Sequence, residues 1–507
     1  MSTSTARTAT ITLPSSRGER WVMNTTKLFV FAVLLSVTFG SPGPATAQDD
    51  PARRAVTSEQ PTAQPTPSPI PSNTFRPKGR IITPPISDPH RKGVHTNYKI
   101  FVPEGHPMSS PVTEYTFAET PASMGCVYKV GPNYTGCNPS TGGTKHPTGG
   151  WGAVAVVEAY DDPNIASDLA FFDTHFGLPK AKLQVVYANS SFGTLGGGFS
   201  QPLNASCSGV PGNGNFLGWD LEESLDAEWA HVMAPVATVI VVEACTQNLE
   251  DLLYAEEVAG IEVGNAGGGV ISNSWGFSEA CTADPNCNGG WTGSQVNDDN
   301  YFYRDHWSQT TYLASAGDSG AEVLFPSASP WVVSVGGTTV NRDSTGNFLS
   351  ESCWADSGGG TSTVEAWQSP PNILNGMGPW SDYQYEIFSQ NNRSTPDVSF
   401  NADPASGVWV YDTDGTCTGF CTVGGTSVGS PAVAGIINAS NNRLGQASLS
   451  NPWYDTWENN LIYSQLNDHI AYGVNFYDVT TGSNGYAAGP GFDQCTGIGS
   501  PRGHLGK

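Results

Sequence analysis

The sequence predicts an α/β fold: a doubly wound, mostly parallel sheet with helices on both faces, preceded by a disordered Pro-rich N-terminal segment. Three observations predict it. From Trp151 onward, apolar runs of strand length alternate with stretches of helical period, and repeated strand-helix-strand order implies parallel strands joined by crossover helices. The strand-length runs lack the in-out alternation of a half-solvated sheet, so they read as buried on both faces. A chain of 507 residues with 59 glycines and only 13% charged residues also has the profile of a large, compact secreted protein.

In chain order, residues 1–47 read as leader and signal peptide. Lys27 precedes the apolar run Leu28–Phe39, and Ala45-Thr46-Ala47 offers the small residues of a cleavage site; Met23 is a plausible internal start. The run falls short of the roughly 20 residues a membrane-spanning helix needs, so secretion is expected and stable membrane insertion is not. Residues 48–93, with ten prolines between Pro51 and Pro89, read as a linker or tail. Residues 94–507 form the folded domain. Its expected strands are Val154–Glu158, Leu183–Tyr187, Thr238–Glu243, Val270–Asn273 and Tyr312–Ala314, and its expected helices Asn164–Phe176, Leu221–Met233, Asn248–Ala259 and about Val296–His306. After Pro326 shorter strands and turns are expected until a helix that begins near Ser427.

The net charge of −24 is unevenly spread. Residues 101–507 hold 10 basic and 41 acidic groups. Such a surface excludes nucleic acid as a partner, and its self-repulsion relaxes in acid. Ten cysteines without a zinc-type spacing, including the close pairs Cys281/Cys287 and Cys417/Cys421, point to disulfides in an oxidising compartment. Asn133, Asn189, Asn204, Asn392 and Asn438 each open an Asn-x-Ser/Thr triplet, which predicts exposed loops.

The chemistry gathers around Gly424-Gly425-Thr426-Ser427-Val428-Gly429-Ser430-Pro431. Glycines before a serine at the start of a helix suit a nucleophile that must stand clear of its backbone, although a plain helix cap reads the same way. In Leu221–Met233, Leu221, Leu225 and Trp229 recur every fourth residue as a core stripe, with Glu222 and Asp226 on the adjacent stripe. This is either a carboxyl pair sharing a proton or a solvated face with Glu222, Glu223, Asp226 and Glu228 all outward. His231 lies roughly 140° round the helix from Asp226 and reads as a packed or surface histidine. Asp318, in Ser315-Ala316-Gly317-Asp318-Ser319-Gly320, stands at a strand end and is a site candidate or a turn former.

Taken together, Gly-Thr-Ser427-x-x-Ser-Pro, Glu222-x-x-x-Asp226 followed by Ala-Glu-Trp-Ala-His-x-x-Ala-Pro, and Ser-Ala-Gly-Asp318-Ser-Gly resemble the sedolisin family of serine-carboxyl peptidases, from about Trp151 to Pro501. The resemblance implies a subtilisin-like fold and a secreted, acid-acting endopeptidase cutting protein or peptide substrates as a monomer. It makes Ser427 the nucleophile, Glu222 its base, Asp226 the orienter of Glu222 and Asp318 the side chain of the oxyanion hole. Glu158 in Val-Ala-Val-Val-Glu and Trp275 in Val-Ile-Ser-Asn-Ser-Trp-Gly are similar to residues that extend the network behind the pair. A carboxylate base with a pKa near 4 suits acid, where histidine is protonated, and a protonated Asp318 donates to an oxyanion that an ionised one repels. The segment 476–501 resembles the family's calcium loop, implying one structural Ca2+ held by the carboxylates of Asp478 and Asp493 and the carbonyls of Val479, Gly489 and Gly491.

Family members usually carry a long folded propeptide. The stretch before Trp151 has no room for one, so folding without it or a propeptide supplied in trans is expected. Three rival readings compete. An aspartic peptidase built on Asp318-Ser-Gly and Asp356-Ser-Gly needs two similar lobes, and these loops lie 38 residues apart. A Ser/His/Asp subtilisin needs a His-Gly-Thr helix start, which is missing. A catalytically inactive binding or scaffold protein is the alternative that keeps the fold.

Overall fold

The computed structural model describes residues 70–105, 118–195, 202–215, 217–281, 298–302, 310–366, 392–415, 417–440 and 458–506. The chain divides into units of residues 1–62 and 63–507, and all described residues belong to the second. The expected signal peptide, the start of the Pro-rich segment and most of the helix expected near 296–306 lie outside the described residues. Inside the last, Asp299–Phe302 is a short 3-10 turn.

Three short strands, β1 (Gly79–Ile82), β2 (His95–Thr96) and β3 (Lys99–Pro103), precede helix α1 (Pro121–Val127). The alternation expected from Trp151 onward follows as β4 (Ala153–Ala159), α2 (Ile165–Phe176), β5 (Lys182–Ala188), α3 (Trp219–Met233), β6 (Thr238–Ala244), α4 (Leu249–Asn265), β7 (Gly269–Asn273), β8 (Trp275–Ser278) and β9 (Thr310–Ser315). Next come β10 (Leu324–Phe325), β11 (Val332–Arg342), β12 (Phe348–Cys353), β13 (Gly360–Ala366), β14 (Asn392–Thr395), β15 (Val398–Asn401), β16 (Val408–Asp412) and β17 (Gly419–Gly424). Helices α5 (Thr426–Ala439), α6 (Glu458–Ser464) and α7 (His469–Asn475) and the closing pair β18 (Phe476–Tyr477) and β19 (Ser500–Pro501) end the chain.

The main sheet runs β12-β11-β9-β7-β4-β6-β5, parallel from β11 to β5, with β12 antiparallel at one edge and β15 parallel to part of β11. Val154–Val157 are fully buried at its centre, as a strand covered on both faces requires. β5 departs from the expectation of double burial. As the edge strand it keeps Lys182 and Gln184 exposed, and lysine at an edge discourages further pairing.

Helix placement follows the direction of each crossover. α2 carries the chain from β4 out to β5, and α3 and α4 each carry it back the other way. α2 packs on α3, and α3 on α5, whereas α4 lies against β4, β6 and β7 on the opposite face. Two crossovers in the same direction on opposite faces have opposite hands, so the one carrying α3 has the rare left hand. The connections leaving β4 and β7 diverge, and that is where an open α/β sheet forms its crevice.

The domain boundary expected at residue 94 lies earlier. β1 pairs with β3, and Phe75 bridges Arg342 at the end of β11. Prolines are compatible with this because Pro84 and Pro85 fall at a 3-10 turn start, where no amide is needed. Asn438 is no exposed sequon either: it is buried, accepts from the Trp151 amide and donates to the carbonyls of Trp151 and Ala153, tying α5 to β4. Disulfides join Cys126–Cys137, Cys207–Cys245, Cys353–Cys495 and Cys417–Cys421. Cys281 is disulfide-bonded as well, and Cys287 lies outside the described residues. Among the described residues no helix is long and apolar enough to cross a membrane.

Candidate active site

β17 delivers the chain to Gly425, whose φ of 117° a side chain would strain. A Cβ there would also lie 2.2 Å from the Asn97 carbonyl oxygen and 2.5 Å from Asp318 Oδ2, so only glycine lets another backbone come this close. Ser427 then occupies the first turn of α5, where amides have no partner within the helix. α5 is pinned from behind by a hydrogen bond of 2.8 Å between the hydroxyls of Ser430 and Ser272 on β7.

α3 brings the carboxyl groups. Glu222, Glu223, Asp226 and Glu228 are all buried, so the solvated-face reading is wrong for this helix. Burial pushes the Glu222 carboxyl well above its ordinary range and Asp226 adds to the push, while the Ser427 hydroxyl opposes it. Asp226 is raised by burial against the Ser274 hydroxyl, which donates to its Oδ1 at 2.9 Å, and against Glu158. Glu158, at the end of β4, is raised by burial, then by Asp226 and Glu222. Three carboxyl groups thus run inward from the serine in a setting that favours shared protons over full ionisation. The pKa near 4 expected for the base is therefore a lower bound in this buried state. Trp275 donates its indole N–H to the Val157 carbonyl at 3.1 Å, bracing the strand end that presents Glu158 rather than bonding to a carboxyl group.

Asp318 follows β9 and is buried. Its Oδ1 accepts from the amide and hydroxyl of Thr426 at 2.8 and 2.9 Å, leaving Oδ2 buried without a partner. Burial lifts this carboxyl to about 7, with Lys99 and Thr426 pulling the other way. Below that pH it carries a proton, and the spare oxygen is placed to use it. His231 is engaged elsewhere, 3.2 Å from Asp173 Oδ1 and 2.8 Å from the Pro179 carbonyl.

The cleft in front of Ser427 is filled by the chain's own residues 95–99. β2 pairs antiparallel with β8, His95 opposite Gly276 and Thr96 opposite Trp275. β3 pairs antiparallel with β17, Lys99 opposite Gly424. Between the two pairings the Asn97 carbonyl accepts from the Ser427 amide at 3.0 Å, and the Asn97 amide donates to Ser427 Oγ at 3.2 Å. Ser427 Oγ donates to the Ser274 carbonyl at 3.2 Å. The Asn97 side chain donates to Ser315 Oγ at 2.7 Å. A carbonyl thus stands over Ser427 with carboxyl groups behind it.

Residues 209–457 match the Subtilase family. Kumamolisin of Bacillus sp. (strain MN-32) is 31% identical over 341 residues, 62% of this chain and 55% of its own length. Sedolisin of Pseudomonas sp. (strain 101) is 28% identical over 264 residues, 46% and 39% of the two chains. The chain is similar to these serine-carboxyl peptidases of the sedolisin family. It is similar in fold to Pseudomonas sedolisin (serine-carboxyl proteinase) complexed with two molecules of pseudo-iodotyrostatin, with a TM-score of 0.53, 23% identity, and 77% of this chain and 96% of that one covered. The chain spans about half the length of kumamolisin and less of sedolisin. Among the described residues the strands build one large mixed sheet and four smaller ones rather than two similar β-rich lobes, and Asp318 and Asp356 line one and the same pocket, which is not the arrangement an aspartic peptidase needs.

The expected calcium residues lie on one loop, closed by β18 against β19 and tethered by Cys353–Cys495. Asp478 accepts from the Gly491 amide at 3.1 Å and Asp493 from the Gly489 amide at 3.0 Å, and Val479 is buried between. Burial raises Asp478, and raises Asp493 to about 6. Two part-buried carboxylates without an ion pair among the described residues suit a hard cation in kind. No group of three or more His, Cys, Asp or Glu side chains arranged to hold a metal ion occurs among the described residues, so carbonyls would complete such a set.

Sequence reasoning missed Ser274, Asn97, Lys99 and Thr426. Ser274 was legible as the neighbour of Trp275 in its motif. Asn97 and Lys99 stand in a stretch with no periodicity, and only long-range pairing assigns them to the site.

Proposed function

We propose that this chain is a secreted serine-carboxyl endopeptidase acting in acid. The observation that carries the reading is the Asn97 carbonyl hydrogen-bonded to the Ser427 amide, with Glu222, Asp226 and Glu158 behind and Asp318 beside it. In this reading Ser427 Oγ attacks a substrate carbonyl carbon and passes its proton to ionised Glu222, which Asp226 orients. The developing oxyanion is stabilised by the Ser427 amide and the protonated Asp318. Collapse expels the amine, which takes the proton from Glu222, and water repeats the sequence to release the acid.

The first bond so placed is the chain's own Asn97–Tyr98. Intramolecular cutting there opens the cleft. A structural Ca2+ held by Asp478, Asp493 and the carbonyls of Val479, Gly489 and Gly491 tethers the C-terminal loop.

The test is hydrolysis of an unfolded protein from pH 2 to 8, with Ser427→Ala and a pepstatin-treated sample alongside, and N-terminal sequencing of the incubated chain. The expected result is acid-peaked, pepstatin-insensitive activity absent from Ser427→Ala, with a new terminus at Tyr98. Pepstatin-sensitive activity in the alanine variant overturns it. A folded protein that keeps its 95–99 segment and hydrolyses nothing is the inactive scaffold.

A further inference from the structure

The segment in the cleft also reports what the cleft selects. Lys99 is the second residue after the Asn97–Tyr98 bond, and its register is fixed by pairing with Gly424, three residues before the nucleophile. Its ammonium group donates to Asp356 Oδ2 at 2.7 Å and to the Asp318 carbonyl at 2.8 Å, and lies 5.2 Å from the Trp354 ring centroid. The lysine side chain is only 12% exposed, while Asp356 is 47% exposed. A carboxylate, a carbonyl and an aromatic face converge on one cation, which is a recognition set rather than a loose surface pair. Asp356 is itself held by its backbone, whose carbonyl accepts from the Gly320 amide at 2.9 Å, so the loops after β9 and β12 position the set together. The pocket here, about 590 Å³, is lined by Asp318, Ser319 and Asp356 from the body and by residues 83–90 from the overlying segment.

We infer that Asp356, Trp354 and the Asp318 carbonyl form a specificity subsite for a basic side chain two residues after the scissile bond, with Lys99 as its built-in occupant. The inference rests on the peptidase reading above. It implies a preference for peptides carrying Lys or Arg at that position, and neither Asp356 nor Trp354 takes part in the chemical step.

Two measurements test it and separate it from the peptidase reading. In the full-length Ser427→Ala chain no cutting intervenes, and amide exchange over 95–103 reads how firmly the subsite holds its occupant. Asp356→Asn is expected to speed that exchange about fivefold, Lys99→Met by the same factor, and the double variant no further, with Lys99→Arg unchanged. Exchange unaltered by Asp356→Asn, or additive effects of the two changes, overturns the subsite whatever the enzyme hydrolyses. In the acid-incubated wild-type enzyme, a peptide with Lys at the second position after the cut should exceed its norleucine counterpart about tenfold in kcat/KM. Asp356→Asn should level the two, and Asp356→Lys should favour glutamate. An unchanged lysine-to-norleucine ratio in Asp356→Asn also overturns the subsite. Intact Lys99–Asp356 coupling in a protein that cuts no peptide supports the subsite and sinks only the peptidase reading.

Discussion

At the scale of single residues, the site divides protonation between two places. In the proposed mechanism Glu222 must be ionised to take the Ser427 proton, whereas Asp318 must be protonated to donate to the oxyanion. Asp318, lifted to about 7, sets the upper limb, so activity is expected to fall as pH rises through that value. Asp318→Asn carries a permanent N–H donor and should retain activity above pH 7 while losing about tenfold or less at the optimum, measured as a pH–rate profile. Glu222→Gln should cost about 10³-fold in kcat at every pH. A wild-type alkaline limb that survives Asp318→Asn unmoved would assign it to another group. That Ser427, Glu222, Asp226 and Asp318 lie near one another was legible from the combination of their motifs and the family resemblance it carries, not from any one motif alone. Asp356 was legible only as a false partner of Asp318. Its actual neighbour, Lys99, is 257 residues away in sequence, and no local pattern encodes that contact.

At the scale of elements, α5 has two jobs, presenting Ser427 and spanning the core, and its second end is secured by Asn438. Removing that side chain strands the Trp151 amide and two carbonyls at the base of β4. Asn438→Ala is expected to cost about 2 kcal/mol, read as a lower urea midpoint with unchanged m-value. A cost near zero would show that water replaces the amide. The buried strands β4, β6, β7 and β9 and the helices α2, α3 and α4 were legible because their periods are unambiguous. The edge character of β5 was not, since apolar residues recur on it as they do on central strands. β1, β2 and β3 were invisible for a different reason: they are short, rich in proline nearby, and exist by pairing with β8 and β17, elements far along the chain.

At the scale of the whole molecule, the acidic bias acquires a location. Around the N-terminus of α3 and the end of β16, burial raises Asp162 to about 7, Asp220 to about 8 and Asp412 to about 6. Carboxyl groups raised above their unfolded value bind protons more tightly in the folded state. Their contribution is therefore complete below about pH 4 and is lost as pH rises through 6 to 8. The melting temperature is expected to fall between pH 5 and pH 8 in thermal scans; a rise over that range would contradict the assignment. The C-terminal loop should add an opposite sensitivity, because Asp478 and Asp493 must be ionised to hold a cation. Chelation at pH 6 to 7 is expected to lower the melting temperature by several degrees, restored by added Ca2+, with little effect at pH 3 where the loop is already protonated.

Because residues 95–99 and Ser427 belong to one polypeptide, their encounter does not depend on how much protein is present. The fold itself, through the pairing of β2 with β8 and β3 with β17, holds the segment at the serine, so it competes as an intramolecular occupant against any dilute peptide outside. Any foreign peptide must therefore wait for the segment to be cut or to detach. The onset of activity after acidification should follow a first-order lag whose time constant stays fixed on tenfold dilution. A lag that lengthens with dilution would mean that one molecule opens another.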